Sequence, residues 1–210
     1  GLLNEKADTA QLFAHGCKVS ILATEVAAAM NLVKQDVMHV GLIALLQDIG
    51  MVRVPDAIVN KTSPLTVEEF AEIRKHPLYS TELVITQSGI PRVVQDVIGQ
   101  IHERLDGSGY PQGLKGDDIH SFAKIISVVD AYTAMISPRG YRPPMLSYHA
   151  VVALLRRAYH RLFDRDVVKT LIGCLSLDEA LAVAEAPGRE RRVDADLVFA
   201  VVQREQPGMA

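Results

Sequence analysis

Apolar residues recur at steps of three and four along most of the first 174 residues, the spacing of helices with one buried face. The first helix is predicted from Gln11 to Met30, and a second runs to about Ile49, where Gly50 supplies a left-handed ending. The buried stripe of the first helix comprises Leu12, His15, Val19, Leu22 and Val26.

Further helix signals follow. Thr66 and Glu69 form a capping box, and the helix they begin is predicted to bury Val67, Phe70 and Ile73 and to reach His76. Pro91 is predicted to be the first residue of a helix. The remaining predicted helices are about 91–103, 119–136 and, over one or more helices, 147–174.

The segments between and after these helices are irregular. Residues 104–118 form a glycine-rich loop and residues 137–144 a second loop with three prolines. A charged break at 187–192 precedes a short β-branched run at 197–202. We therefore predict an all-α helical domain over residues 1–174 and a small C-terminal appendage over 175–210 that contributes a strand.

Composition narrows the class of protein. Of the 210 residues 49% are hydrophobic, but only 5% are aromatic and none is Trp, so the core must be aliphatic. A net charge of -3 gives no electrostatic basis for binding a nucleic-acid duplex. The longest unbroken apolar run in the first half, 42–46, is too short for a bilayer. Cys17 and Cys174 are isolated, so we expect a cytoplasmic protein with reduced thiols and no membrane insertion.

Five polar residues interrupt apolar helix faces. A buried carboxylate costs several kcal/mol unless it is paired or binds a metal. Any one of these residues alone is adequately explained as a satisfied core histidine or a capping aspartate. If the helices pack as one bundle, however, three imidazoles and two carboxylates converge into a divalent-metal site. The five residues are His15, Asp48, His76, His102 and Asp130.

The glycine-rich loop resembles the signature of the HD-GYP family. It reads His102-Glu-Arg-Leu-Asp-Gly-Ser-Gly109-Tyr110-Pro111-Gln-Gly-Leu-Lys-Gly116. The early His15 motif, the Asp48-Ile-Gly segment, Lys75-His76-Pro77 and Asp130-Ala-Tyr-Thr-Ala134 follow in the order of that family. The resemblance covers roughly residues 12–172 and implies an HD-domain helical bundle in bacterial cyclic-di-GMP signalling.

The resemblance also implies a chemistry. The family hydrolyses cyclic di-GMP with two or three metal ions, commonly iron or manganese, and a hydroxide that bridges the ions. His15, Asp48 and Asp130 would hold one ion. Asp48, as the bridging and catalytic carboxylate, would hold the other with His76 and His102.

Substrate and partner contacts follow from the same resemblance. Arg139 and Arg142 fall in the segment that faces the substrate phosphate, and Tyr110 is a further substrate-binding candidate. The Gly109-Tyr110-Pro111 turn corresponds to the part of the family linked to contact with GGDEF-type diguanylate cyclases. As alternatives, the loop glycines serve only backbone turns while Tyr110 packs, and the two arginines are solvated surface charges.

The sequence departs from the family at four positions. Gln47 replaces the histidine of the His-Asp pair, and Ile101 replaces the first of two adjacent histidines. Met51 stands where a phosphate-binding lysine is usual, and Thr133 replaces a frequent second aspartate. Each predicted ion therefore loses one imidazole, so we expect divalent metal to be sub-stoichiometric or absent.

Three hypotheses remain open on the sequence alone. The first is a degenerate module with impaired or no phosphodiesterase activity that acts by binding cyclic di-GMP, a GGDEF-type protein or another signalling partner. The second is an active, metal-dependent cyclic-di-GMP phosphodiesterase with a reduced ligand set. The third is a purely structural scaffold.

Overall fold

The computed structural model describes residues 2–61, 63–138 and 143–175. In these ranges all regular structure is helical and no strand occurs, which confirms the all-α class. The predicted appendage with its strand, as well as Arg139 and Arg142, lies outside the described residues. The α-helices are α1 (Leu2–Ala29), α2 (Lys34–Leu46), α3 (Asp56–Val59), α4 (Val67–Ile73), α5 (His76–Ile85), α6 (Arg92–Val97), α7 (Ser121–Ile136), α8 (Ser147–Tyr159) and α9 (Arg165–Cys174).

Helix α7 is the centre of the bundle. Its middle is almost purely apolar, and ten of its sixteen residues are buried, so it can be surrounded on most sides. It packs against α1, α2, α8 and α9. Aliphatic side chains dominate the core, as the scarcity of aromatic residues requires. An Asp on this helix must therefore find its partners inside the protein.

Helix α1 contains a segment, Ala10–Ala29, that is long and apolar enough by length and composition to cross a bilayer. This segment is not an unbroken apolar run, because small and polar residues interrupt it. In the structure Val19, Ala23 and Val26 are fully buried against neighbouring helices. The apolar face of α1 is thus used for packing within the bundle.

Several predicted boundaries differ from the structure. Helix α2 ends at Leu46, and a short 3-10 helix, Ile49–Arg53, follows instead of a glycine-terminated end. Gly50 does not have the positive φ that was predicted. A side chain at Gly50 would collide with the carbonyl oxygen of His76 and the amide of Ser80, so the glycine permits close packing rather than a left-handed turn.

The α4 and α6 predictions are partly wrong. The capping box of Thr66 and Glu69 is confirmed. The predicted buried face is not, because Val67 is 83% and Phe70 50% exposed. Pro91 lies just before α6, and a 3-10 turn over residues 98–100 replaces the second half of the predicted helix. Apolar spacing over so short a helix did not identify its buried side.

Candidate metal centre

The structure brings all five predicted polar residues into two overlapping clusters. In each cluster the potential ligand atoms lie within 4.8 Å of one another, and Asp48 belongs to both. The five were expected on five helices, but Asp48 and His102 lie in turns, one after α2 and the other after the 3-10 turn. The first cluster is His15, Asp48 and Asp130, and the second is Asp48, His76 and His102.

The first cluster is organised around the carboxylate of Asp130. One oxygen of this carboxylate, Oδ1, lies 2.9 Å from Nε2 of His15. The same oxygen accepts a hydrogen bond of 3.0 Å from the side-chain amide of Gln47. Burial favours a raised pKa for Asp130, but the hydrogen bond from His15 and the nearby histidines lower it to about 2. The carboxylate is therefore ionised at neutral pH and suited to bind a cation.

The second cluster contains two imidazoles that point at each other. Nε2 of His76 lies 2.9 Å from Nε2 of His102 and 3.3 Å from Oδ1 of Asp48. The other ring nitrogen of His76, Nδ1, donates to the carbonyl oxygen of Ile73 at 2.8 Å. A proton fixed at Nδ1 leaves the Nε2 lone pair of neutral His76 directed into the site, which is how metal-binding histidines are usually oriented.

The pKa values of His76 and His102 are shifted in opposite directions. Burial lowers the pKa of His102 to about 4, so this imidazole is neutral near pH 7. Burial also acts to lower the pKa of His76, but the hydrogen bond to Asp48 and the charge of this carboxylate outweigh burial and raise it. An ion bound here would displace the proton that His76 Nε2 shares with Asp48.

Close backbone packing holds the second cluster in place. The amide of Gly50 donates to the hydroxyl of Ser80 at 2.9 Å, and that hydroxyl donates to the carbonyl of Gln47 at 2.7 Å. Ser80 is fully buried on α5, the helix that begins at His76. These bonds tie the turn of Asp48 to the start of α5, so both ligands keep their separation.

The substituted positions are also in the site region. Gln47 is 1% exposed, and its Oε1 is buried without a hydrogen-bond partner among the described residues. Ile101, beside His102 in the chain, is 1% exposed and belongs to the apolar core. Thr133 is likewise buried on α7. The side chains at positions 47, 101 and 133 therefore offer no imidazole to either cluster.

The signature loop is anchored by Glu103, a residue for which the sequence suggested no role. Glu103 is 2% exposed, and its carboxylate accepts hydrogen bonds from the backbone amides of Gln112, Gly113 and Leu114 at 2.7, 3.1 and 3.0 Å. The position of Glu103, directly after His102 and before the glycine-rich loop, is the feature of the sequence that could have indicated this role. Three amide donors explain why a buried carboxylate is tolerated there.

Tyr110 packs beside the candidate metal ligands rather than protruding. Its ring is stacked on His102, with centroids 5.0 Å apart and planes at 10°. The guanidinium of Arg74 lies 4.5 Å from the Tyr110 ring centroid. Gly109 packs against the backbone of Glu103, and this approach leaves no room for a side chain. Tyr110 and Pro111, the predicted partner contact, are therefore half-buried at the edge of the site.

The donor set fits divalent metal ions. Each cluster offers three ligand atoms in total, which are imidazole nitrogens and carboxylate oxygens. A carboxylate that belongs to both clusters can bridge two ions. The orphaned Oε1 of Gln47 adds one buried oxygen that no described residue satisfies. These features support a metal centre without identifying the metal.

Comparison with known proteins agrees with this geometry. A family model described as "HD domain" matches residues 4–167. A cyclic di-GMP phosphodiesterase of Pseudomonas aeruginosa is 32% identical over 177 residues, which cover 84% of this chain and 42% of the relative. A 3'3'-cGAMP-specific phosphodiesterase of Vibrio cholerae is 33% identical and is matched over 83% of this chain and 40% of its own length. The chain thus spans less than half of these relatives.

Solved structures support the same fold. The HDG"Y"P protein Bd1817 of Bdellovibrio bacteriovorus superposes with a TM-score of 0.63 and 24% identity, covering 76% of this chain and 51% of that protein. The HD domain of the L. monocytogenes phosphodiesterase PgpH, solved in complex with cyclic-di-AMP, superposes with a TM-score of 0.58 and 15% identity. The match covers 86% of this chain and 94% of that domain. At these identities the likeness concerns the fold alone.

Proposed function

This chain belongs to the HD domain family and is of the HD-GYP type, and from that premise we propose that it is a degenerate cyclic-dinucleotide module. In this proposal it binds cyclic di-GMP or a signalling partner and has impaired or no phosphodiesterase activity. It operates in bacterial cyclic-di-GMP signalling, in the cytoplasm.

The contact between Gln47 and Asp130 carries this proposal. The amide of Gln47 is buried and donates to the same carboxylate oxygen that faces His15. An amide donor at this oxygen competes with a cation for the oxygen's lone pairs. The buried aliphatic side chain of Ile101 offers no ligand at the second position. Weakened metal binding follows at both ions.

The candidate ligands present in the two clusters determine which metal chemistry this site would support. His15, Asp48 and Asp130 would hold one ion, and Asp48, His76 and His102 the other. Bound iron or manganese would supply a nucleophilic hydroxide and positive charge at the phosphate. The chain's own contribution would be to orient the ligands through Ile73 and Ser80. Met51 contributes no positive charge to the transition state.

The test measures metal and turnover together. Protein purified without chelator is analysed for iron and manganese, and cyclic di-GMP and 3'3'-cGAMP are then assayed anaerobically with Fe²⁺ and with Mn²⁺. We expect well below two ions per chain, product formation near background, and binding of at least one dinucleotide by calorimetry. Two tightly held ions with steady turnover would contradict the proposal.

The second candidate is an active phosphodiesterase. The observation that favours it is the convergence of both ligand clusters on Asp48, since three protein ligands completed by water can bind an ion. Saturating metal discriminates between the two: an active enzyme gains linear turnover with excess Mn²⁺, whereas a degenerate module binds nucleotide without product.

The partner surface belongs to the same proposal. We place contact with a GGDEF-type cyclase or another signalling protein at Gly109, Tyr110 and Pro111, and substrate contact at Tyr110, Arg139 and Arg142. The half-buried position of Tyr110 limits the partner to the exposed edge of the loop. Pull-down of a purified GGDEF domain with wild type and with Pro111→Ala tests this point.

A further inference from the structure

We infer that Arg74 is a phosphate-binding residue at the edge of the metal centre, and this inference rests on the proposed binding of a cyclic dinucleotide. Arg74 lies at the end of α4, two residues before His76. Its amide donates to the carbonyl of Phe70 at 3.0 Å, and the adjacent carbonyl of Ile73 accepts from His76. One short turn therefore fixes both the arginine and a metal ligand.

The guanidinium of Arg74 is held by aromatic rings instead of carboxylates. It lies 4.5 Å from the ring centroid of Tyr110 and 5.8 Å from that of Phe70. Its Nε is buried, and no described residue accepts a hydrogen bond from it. These ring contacts restrict the guanidinium without pairing its positive charge with a carboxylate.

Neighbouring cations contrast with Arg74. Three of them have a carboxylate partner, and Arg104 donates to the backbone carbonyls of Ile101 and Glu103, whereas no ion pair of Arg74 occurs among the described residues. The charge of Arg74 therefore remains available to an anion from outside the protein, and arginine binds phosphate through a planar pair of N–H donors. The paired neighbours are Arg53 with Glu82, Lys61 with Glu69, and Lys75 with Glu72.

The position of Arg74 matches a ligand that also reaches the metal centre. The Tyr110 ring contacts Arg74 and is stacked on His102, so one ring connects the guanidinium to the second cluster. Met51 supplies no cation near the site. Arg74, at the end of α4, supplies a positive charge that Met51 does not supply from the 3-10 helix after Asp48. Its guanidinium would contact a phosphate oxygen of the dinucleotide.

Calorimetric titration with cyclic di-GMP in Mn²⁺ buffer tests the inference. Arg74→Gln should weaken binding at least about tenfold, because a charge-assisted hydrogen bond to phosphate is lost. Arg74→Lys should weaken binding less than Arg74→Gln, since it keeps the charge but loses the planar pair of donors. The control is Arg53→Gln, which removes an arginine that lies 5.8 Å from the Tyr79 ring centroid but is paired with Glu82, and it should leave the Kd unchanged.

Manganese content and the melting temperature are measured for each variant, so that lost affinity is separated from lost metal or fold. If Arg74→Gln does not fold, Arg74→Met decides: binding weakened at least about tenfold in the folded variant supports the inference, and an unchanged Kd contradicts it. Unchanged binding by folded Arg74→Gln overturns the inference and leaves the proposed function intact.

Wild type that fails to bind cyclic di-GMP removes this ligand from the proposed function, and inorganic pyrophosphate is then the second probe. Pyrophosphate binding that is lost in Arg74→Gln supports an anion site at Arg74. Pyrophosphate binding that is independent of Arg74, or absent, overturns the site.

Discussion

The side-chain amide of Gln47 donates a hydrogen bond of 3.0 Å to Oδ1 of Asp130, the carboxylate oxygen that also lies 2.9 Å from His15. Histidine at this position would present a lone pair to a cation, whereas the amide nitrogen presents a proton. The glutamine therefore stabilises the Asp130 carboxylate through a hydrogen bond, while its own Oε1 stays without a partner among the described residues.

Restoring the missing groups should recover metal first and turnover second. The triple variant Gln47→His, Ile101→His, Met51→Lys returns both imidazoles and the cation. We expect it to approach two ions per chain and to hydrolyse cyclic di-GMP measurably. Gln47→His alone should do less, because one completed ion cannot form a bridging hydroxide. Metal analysis and anaerobic product assays with Fe²⁺ and Mn²⁺ measure both effects.

The Ile101 change needs a fold control, since a histidine there enters an apolar core. Thermal unfolding of each single variant provides that control. A folded triple variant that binds two ions and stays inactive would show that lost ligands do not explain inactivity. Wild type as fast as the repaired protein would contradict the degenerate assignment.

Gly50→Ala should loosen the second ligand cluster. A Cβ at Gly50 collides with backbone atoms of His76 and Ser80, which cannot rotate away. We expect a loss of about 1–3 kcal/mol in the free energy of unfolding, with α5 displaced. Gly173→Ala is the matched control, because its Cβ meets open space within α9 and should stabilise by about 0.5–1 kcal/mol. Chemical denaturation measures both, and equal effects would refute the packing argument.

The sequence predicted the helical class and the convergence of the five polar residues because both depend on local periodicity and on a long motif. Asp130 on the apolar face of α7 is the clearest case: a carboxylate there requires partners whatever the topology. The pairing of His15 with Asp130, 115 residues apart, in one ligand group was implied by the family resemblance.

Other features depended on tertiary contacts that periodicity does not encode. Val67 is exposed although it lies on the predicted apolar stripe of α4, because seven residues make too short a helix to define one buried face. Gly50 was predicted to form a helix-ending turn, but glycine is required there because the backbone of α5 packs too closely for a side chain. Arg74 attracted no attention because its significance lies in the stack on Tyr110.

Glu103→Gln should release the signature loop. The glutamate accepts from three backbone amides, and a glutamine would turn an NH2 group toward at least one of them. A buried donor left unsatisfied costs about 1–3 kcal/mol. We expect faster hydrogen exchange at Gln112, Gly113 and Leu114. Exposed Glu68→Gln is the control, and unchanged exchange in Glu103→Gln would show that the loop is held by other contacts.

The shared position of Asp48 leads to the last prediction, which is made in the repaired triple variant because its ions are countable. Asp48 is the one described residue common to both ligand clusters, whereas His15 belongs to the first alone. Asp48→Asn should therefore reduce metal toward zero ions per chain, and His15→Ala should leave about one. Both variants should lose turnover, so metal stoichiometry, and not activity, distinguishes them. Metal analysis after gel filtration and manganese EPR, which reports coupling between neighbouring ions, measure the difference. If Asp48→Asn and His15→Ala lose the same amount of metal, Asp48 does not bridge two ions, and the two clusters must be treated as a single site.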